Sequence, residues 1–80
     1  MKYKERFEQA FKSENPTEAL RSFALEFAAS GYKRQDIYNI FLGFYTYLQD
    51  ERRIEEENIL GDVMDMIMGM YSPFNLDIPE

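Results

Sequence analysis

The stretch "SENPTEAL", Ser13 to Leu20, constrains this chain more than any other. The side chain of Asn15 can accept from the free N–H groups of a helix that starts after it. Pro16 suits the first helical position, because its ring presets φ and its missing N–H would have had no partner there. Glu18 stands three residues after the cap, where its carboxylate can reach back to the cap N–H. A helix therefore starts at residue 16, and whatever precedes Ser13 is a separate element.

The helix so begun carries Leu20, Phe23, Ala24 and Phe27 on one face and runs to about residue 30. Gly31 can take the left-handed conformation just past its end. Tyr32 then falls where a Schellman motif wants an apolar contact back to Phe27. Upstream, Tyr3, Phe7, Ala10 and Phe11 make one stripe of a helix over 2–12, with Lys4 and Glu8 spaced as an i,i+4 ion pair.

A third helix over 33–50 centres on Ile37, Ile40, Phe41, Phe44 and Leu48, flanked by Tyr38, Leu42, Tyr45 and Tyr47. These positions cover roughly 220° of a helical wheel, so this helix packs on two sides and is the central one. No glycine or proline interrupts Phe44 to Leu60. A continuous helix would nevertheless turn Glu51, Arg52, Glu55 and Glu56 toward the core and Ile54 toward water. A turn near Glu51–Ile54 removes that conflict, and Glu55, Glu56 and Glu57 suit a new helix N-terminus.

The fourth helix, over 55–70, places Ile59, Leu60, Val63, Met64, Met66, Ile67, Met68 and Met70 across roughly 200° of the wheel, with Asp62 and Asp65 on the thin remaining edge. Ser72-Pro73 stops it. Residues 71–80 follow as a short extended tail alternating Phe74, Leu76 and Ile78. The expected fold is all-α: a small four-helix bundle or orthogonal helical domain, one domain over 1–80.

Eighty residues support one core, and a core of that size leaves only about 3–5 kcal/mol of net stability. Small domains often add disulfides or metals, but there is no cysteine and no histidine. Disulfides, thiolate or imidazole metal sites and imidazole base catalysis are thereby excluded. No cofactor is expected. The formal net charge is −6, from 15 acidic and 9 basic side chains. Such a surface repels phosphate backbones and anionic membranes, so neither nucleic acid nor membrane is an expected partner. The start "MKYKERFEQAFK" lacks the apolar run of a signal peptide, and a cytoplasmic protein is expected.

The junction around Gly31 invites a DNA-binding helix-turn-helix, with Lys33 and Arg34 opening the second helix and Ile37 as its apolar residue. That motif needs a small residue four positions before the glycine, and Phe27 stands there. An ordinary helical hairpin fits better. Asp62 and Asp65 at i,i+3 below Glu55–Glu57 could bind a cation, but no EF-hand spacing, Glu-x-x-His pair or phosphate loop accompanies them. Neither an enzyme nor a small-molecule ligand is expected.

Two helices with over-wide apolar arcs leave surface for a partner. The leading expectation is a protein-interaction module that self-associates, a homodimer, through Tyr38, Tyr45, Met64, Met66, Met68 and Met70; methionine is common on adaptable binding surfaces. The alternative is an acidic inhibitor that neutralises a basic protein through Asp50, Glu51, Glu55, Glu56, Glu57, Asp62 and Asp65. In size and charge alone it is similar to bacteriocin immunity proteins, with no residue pattern shared. A metal-binding protein or enzyme is the third and weakest reading.

Overall fold

The computed structural model describes residues 3–68, and these form four helices: α1 Lys4–Lys12, α2 Pro16–Ala29, α3 Arg34–Asp50 and α4 Ile54–Ile67. No strand occurs among the described residues. The all-α four-helix domain read from the sequence is present. The expected extended tail over 71–80 lies outside the described residues, as does Met70.

The start of α2 is built as its sequence implies, with one change. The Asn15 side-chain oxygen accepts from the Glu18 N–H at 3.2 Å, and Pro16 opens the helix. The Glu18 carboxylate does not complete the capping box; it pairs with Arg21 at 3.0 Å. The reverse half of such a box appears at α3, where the Asp36 carboxylate accepts from the Lys33 N–H at 3.2 Å. Lysine carries no acceptor, so Lys33 cannot return the bond.

At the end of α2 the Tyr32 N–H donates to the Phe27 carbonyl and the Gly31 N–H to that of Ala28, both at 3.0 Å. Gly31 sits at φ 96°, and the Tyr32 ring lies 5.1 Å from that of Phe27. This is the Schellman motif that the spacing of Phe27, Gly31 and Tyr32 implies.

A second motif with the same bonds separates α3 from α4. The Arg53 N–H donates to the Leu48 carbonyl at 3.0 Å and the Arg52 N–H to that of Gln49 at 3.1 Å. Here the left-handed position is held by Arg52, at φ 57°. The expected turn near Glu51–Ile54 is thus made without glycine. Ile54, which a continuous helix would also have turned outward, opens α4 and is 64% exposed. Glu55, Glu56 and Glu57 occupy the first turn of α4, where the helix dipole favours them. Of the expected run to Met70, residues 69–70 lie outside the described residues; α4 spans Ile54–Ile67, with the Met68 N–H tightening onto the carbonyls of Met64 and Met66. The stop falls just before Gly69, a poor helix former.

The core is aromatic at one end and aliphatic at the other. Phe7 of α1 inserts among Phe23, Phe41 and Phe44, edge-on to the first two at 5.0 Å and stacked on the third at 4.5 Å. Leu60, Val63, Met64 and Ile67 of α4 complete the core beside Ile37 and Leu48. No polar or charged side chain is buried among the described residues. Most of the wide apolar arc of α3 is covered by three neighbours, α1 through Phe7, α2 through Phe23 on Phe41, and α4, while Leu42 stays 39% exposed. Fully burying one phenylalanine contributes about 1.5–3 kcal/mol, so the ring cluster is the main anchor of α1.

One ion-pair cluster crosses the bundle. Arg53 donates to both carboxylate oxygens of Glu8, at 2.9 and 2.6 Å, and its Nε donates to Glu56 at 2.8 Å. The sequence spacing pairs Glu8 with Lys4, but in the fold the carboxylate turns to Arg53. Lys4 instead lies over the Tyr47 ring at 4.9 Å. The hydrogen bonds from Arg53 hold the Glu8 carboxyl below its ordinary range, with smaller help from the charges of Lys4 and Lys12.

Candidate functional site

The site that gathers the most sequence-marked residues is a groove between α3 and α4, of about 290 Å³ and open to solvent. From α3 come Tyr38, Leu42 and Tyr45, spaced i, i+4, i+7, which keeps them on one edge of the helix. From α4 come Glu57, Gly61 and Asp65 at i, i+4, i+8, with Asn58, Asp62 and Met64 beside them. The absence of a side chain at Gly61 lets the two helices share space: a Cβ there would already touch Tyr45 Cε2 at 3.6 Å.

Three carboxylates line the groove, and no lysine or arginine does. The Glu57 carboxylate accepts from Gln49 Nε2 at 3.1 Å and shares the groove lining with Tyr45. Partial burial of the Tyr45 phenol, followed by the negative charge of Glu57 and Asp65, pushes its pKa above the ordinary value. A phenol so held is a neutral hydrogen-bonding group at physiological pH, and the shift runs against a role as nucleophile. The groove presents acceptors and ring faces. That combination suits cations and N–H donors.

The six residues expected at an interface do not share one surface. Tyr38 and Tyr45 are half-buried at the groove. Met64 lies at its floor but is 4% exposed and belongs to the core. An over-wide arc does not free this methionine, because it packs into the core cluster. Met66 is half-buried against the core cluster. Met68 lines a different groove, of about 330 Å³, with residues 33–36 at the start of α3. Met70 lies outside the described residues.

The seven acidic residues divide in the same way. Glu57, Asp62 and Asp65 meet at the groove. Glu56 is taken by Arg53. Asp50, Glu51 and Glu55 are exposed around the second turn and form no part of the groove. Leu42, Asn58 and Gly61 were not marked as site residues by sequence reasoning, although the i, i+4, i+7 run of Tyr38, Leu42 and Tyr45 was there to be read. Arg53 had no local signal at all.

Among the described residues no group of three or more carboxylates is placed to hold a metal ion, and no helix is long and apolar enough to cross a membrane. The chain matches no protein-family model, no curated protein and no solved structure. The class that can be stated is a small four-helix domain with an acidic, tyrosine-edged groove.

Proposed function

We propose that this protein is a small interaction module whose docking face is the groove between α3 and α4. One observation carries the reading: two half-buried tyrosine rings, an outward-facing leucine and three carboxylates meet in one groove with no basic residue in its lining. Tyrosine gives large contact area at low entropic cost and is enriched where proteins bind one another. Leu42, 39% exposed, stands between the two rings.

Replacing Leu42 by a benzophenone amino acid and irradiating the protein in its host cell tests this. Leu25 on the outside of α2, 42% exposed, gives the matched control. Adducts with a protein from position 42 and none from position 25 are expected. Equal yields from both would remove the groove as the docking face.

Self-association through α3 and α4 is the second reading, favoured by the same exposure of Leu42 beside Tyr38 and Tyr45. Light scattering over a concentration series, repeated with Leu42→Glu, decides it. A dimer that the substitution turns into a folded monomer supports a second copy, and a monomer at every concentration ends the idea.

A further inference from the structure

We propose that the occupant of the α3–α4 groove is a cationic segment of a different protein rather than a second copy of this chain; this rests on the groove being the docking face. The helix that forms one wall, α4, carries Glu55, Glu56, Glu57, Asp62 and Asp65 and has no lysine or arginine. A two-fold pairing uses the same patch on both copies, so two copies meeting through this face would bring two sets of Glu57, Asp62 and Asp65 together with no lysine or arginine in either lining. Like charges juxtaposed across an interface cost several kcal/mol and suppress the pairing.

Of a second copy's cations, Arg6 is bound to Glu26 at 2.8 Å, Arg21 to Glu18, and Arg53 to Glu8 and Glu56, and Lys4 is seated over Tyr47. Lys12, Lys33 and Arg52 are exposed, but the chain as a whole carries a net charge of −6, so two copies repel each other overall. A foreign basic segment bears no such cost.

The lining matches the parts of a lysine or arginine side chain. Glu57, Asp62 and Asp65 face its charged head, and the Tyr38 and Tyr45 rings offer cation–π faces. Leu42 and the edge of Met64 can take its aliphatic stem. From Tyr38 to Tyr45 the helix rises about 10 Å, room for about two turns of a partner helix or three extended residues. Phosphate-bearing partners are repelled by the same lining.

The test uses the full chain labelled with ¹⁵N and a capped Lys/Leu/Ala helical peptide as probe. Its Glu-for-Lys counterpart and the protein's own concentration series serve as comparisons. The lysine peptide is expected to shift the amides of Tyr38, Leu42, Tyr45, Gly61 and Asp65, with affinity falling steeply as salt rises. Asp62→Asn with Asp65→Asn should weaken binding about tenfold or more, the scale of a lost charged contact. Glu5→Gln with Glu14→Gln removes the same net charge from α1 and the following turn, both exposed. That control pair should change affinity by less than about threefold, since distant surface charges are screened.

Equal weakening by the two double variants would overturn the proposal, because the attraction would then belong to net charge and not to the groove. If the groove amides move with the glutamate peptide or with the protein's own concentration, the docking face stands and its cationic partner falls. If no probe moves them, both readings fall.

Discussion

The two turns that bracket α3 have the same hydrogen bonds and opposite chemistry. After α2 the left-handed position is Gly31 and the residue beyond it, Tyr32, packs a ring on Phe27. After α3 the left-handed position is Arg52, and Arg53 beyond it sends its guanidinium across the bundle to Glu8 and Glu56. The first turn is held by local means, a residue without a Cβ and a ring contact within the motif. The second accepts backbone strain at a non-glycine residue, roughly 1–2 kcal/mol for a left-handed L-residue. It is held from outside, by an ion pair to α1 and by the packing of α4 on α3. One backbone motif can thus be written by its own residues or imposed by the tertiary structure.

The comparison can be broken most severely at Gly31. Nothing lies within 4 Å of a Cβ added there, so any cost of Gly31→Val is backbone conformation alone. At φ 96° we expect a loss of about 2–3 kcal/mol for a β-branched residue, lowering Tm by roughly 10 °C or more. Thermal melts of Gly31→Val and Gly31→Asn, with asparagine losing less, check this; a valine variant as stable as the parent would contradict it.

Arg53→Met tests the outside support of the second turn. It keeps an aliphatic stem but leaves the Glu8 and Glu56 carboxylates without the cation between them. Arg53 and Glu8 are each about one quarter exposed, at 25% and 26%. We expect a cost between those of surface and buried pairs, about 1–2 kcal/mol. A double-mutant cycle with Glu8→Gln measures the coupling, and additive losses would mean that the bridge contributes nothing.

Arg52→Gly should do the reverse of Gly31→Val and stabilise the protein by about 0.5–1 kcal/mol, because glycine relieves the left-handed strain. Its gain is limited by the extra freedom glycine has when unfolded. A destabilised Arg52→Gly in urea titration would show that the Arg52 side chain makes a contribution larger than its strain.

The smallest effect is in pH. Glu8 is held below its ordinary pKa of 4.5 by Arg53, so its ionised form is favoured on folding. The stability it adds is present above pH 4.5 and is lost as pH falls through the lowered folded value. The gap in Tm between wild type and Glu8→Gln should therefore be widest near neutral pH and close on acidification. A gap that stays constant through this range would show that Glu8 acts by packing rather than by charge.

Much of the fold was legible because its signals lie within one or two helical turns of each other. Asn15 and Pro16 mark where α2 starts. The stripes of Phe7 and Ala10, and of Leu20, Phe23, Ala24 and Phe27, name buried faces. The misfit of Glu51, Arg52 and Ile54 with a continuous helix puts the second turn in place without any glycine. The groove was legible only in pieces. Tyr38, Tyr45, Asp62 and Asp65 could be marked one by one, but periodicity says which arc is apolar, not which neighbour covers it.

By itself, then, the sequence determined the helix starts, the core stripes, the Gly31 turn and the exclusion of imidazole and thiolate chemistry. These follow from steric and hydrogen-bonding rules that act over a few residues. Tertiary structure alone decided that Met64 is core while Leu42 is surface, that Arg52 takes a left-handed backbone, and that Arg53 meets Glu8 from 45 positions away. Those outcomes depend on which helices end up adjacent. Only the assembled core, with Phe7 seated on Phe44, brings α1 to the turn where Arg53 waits.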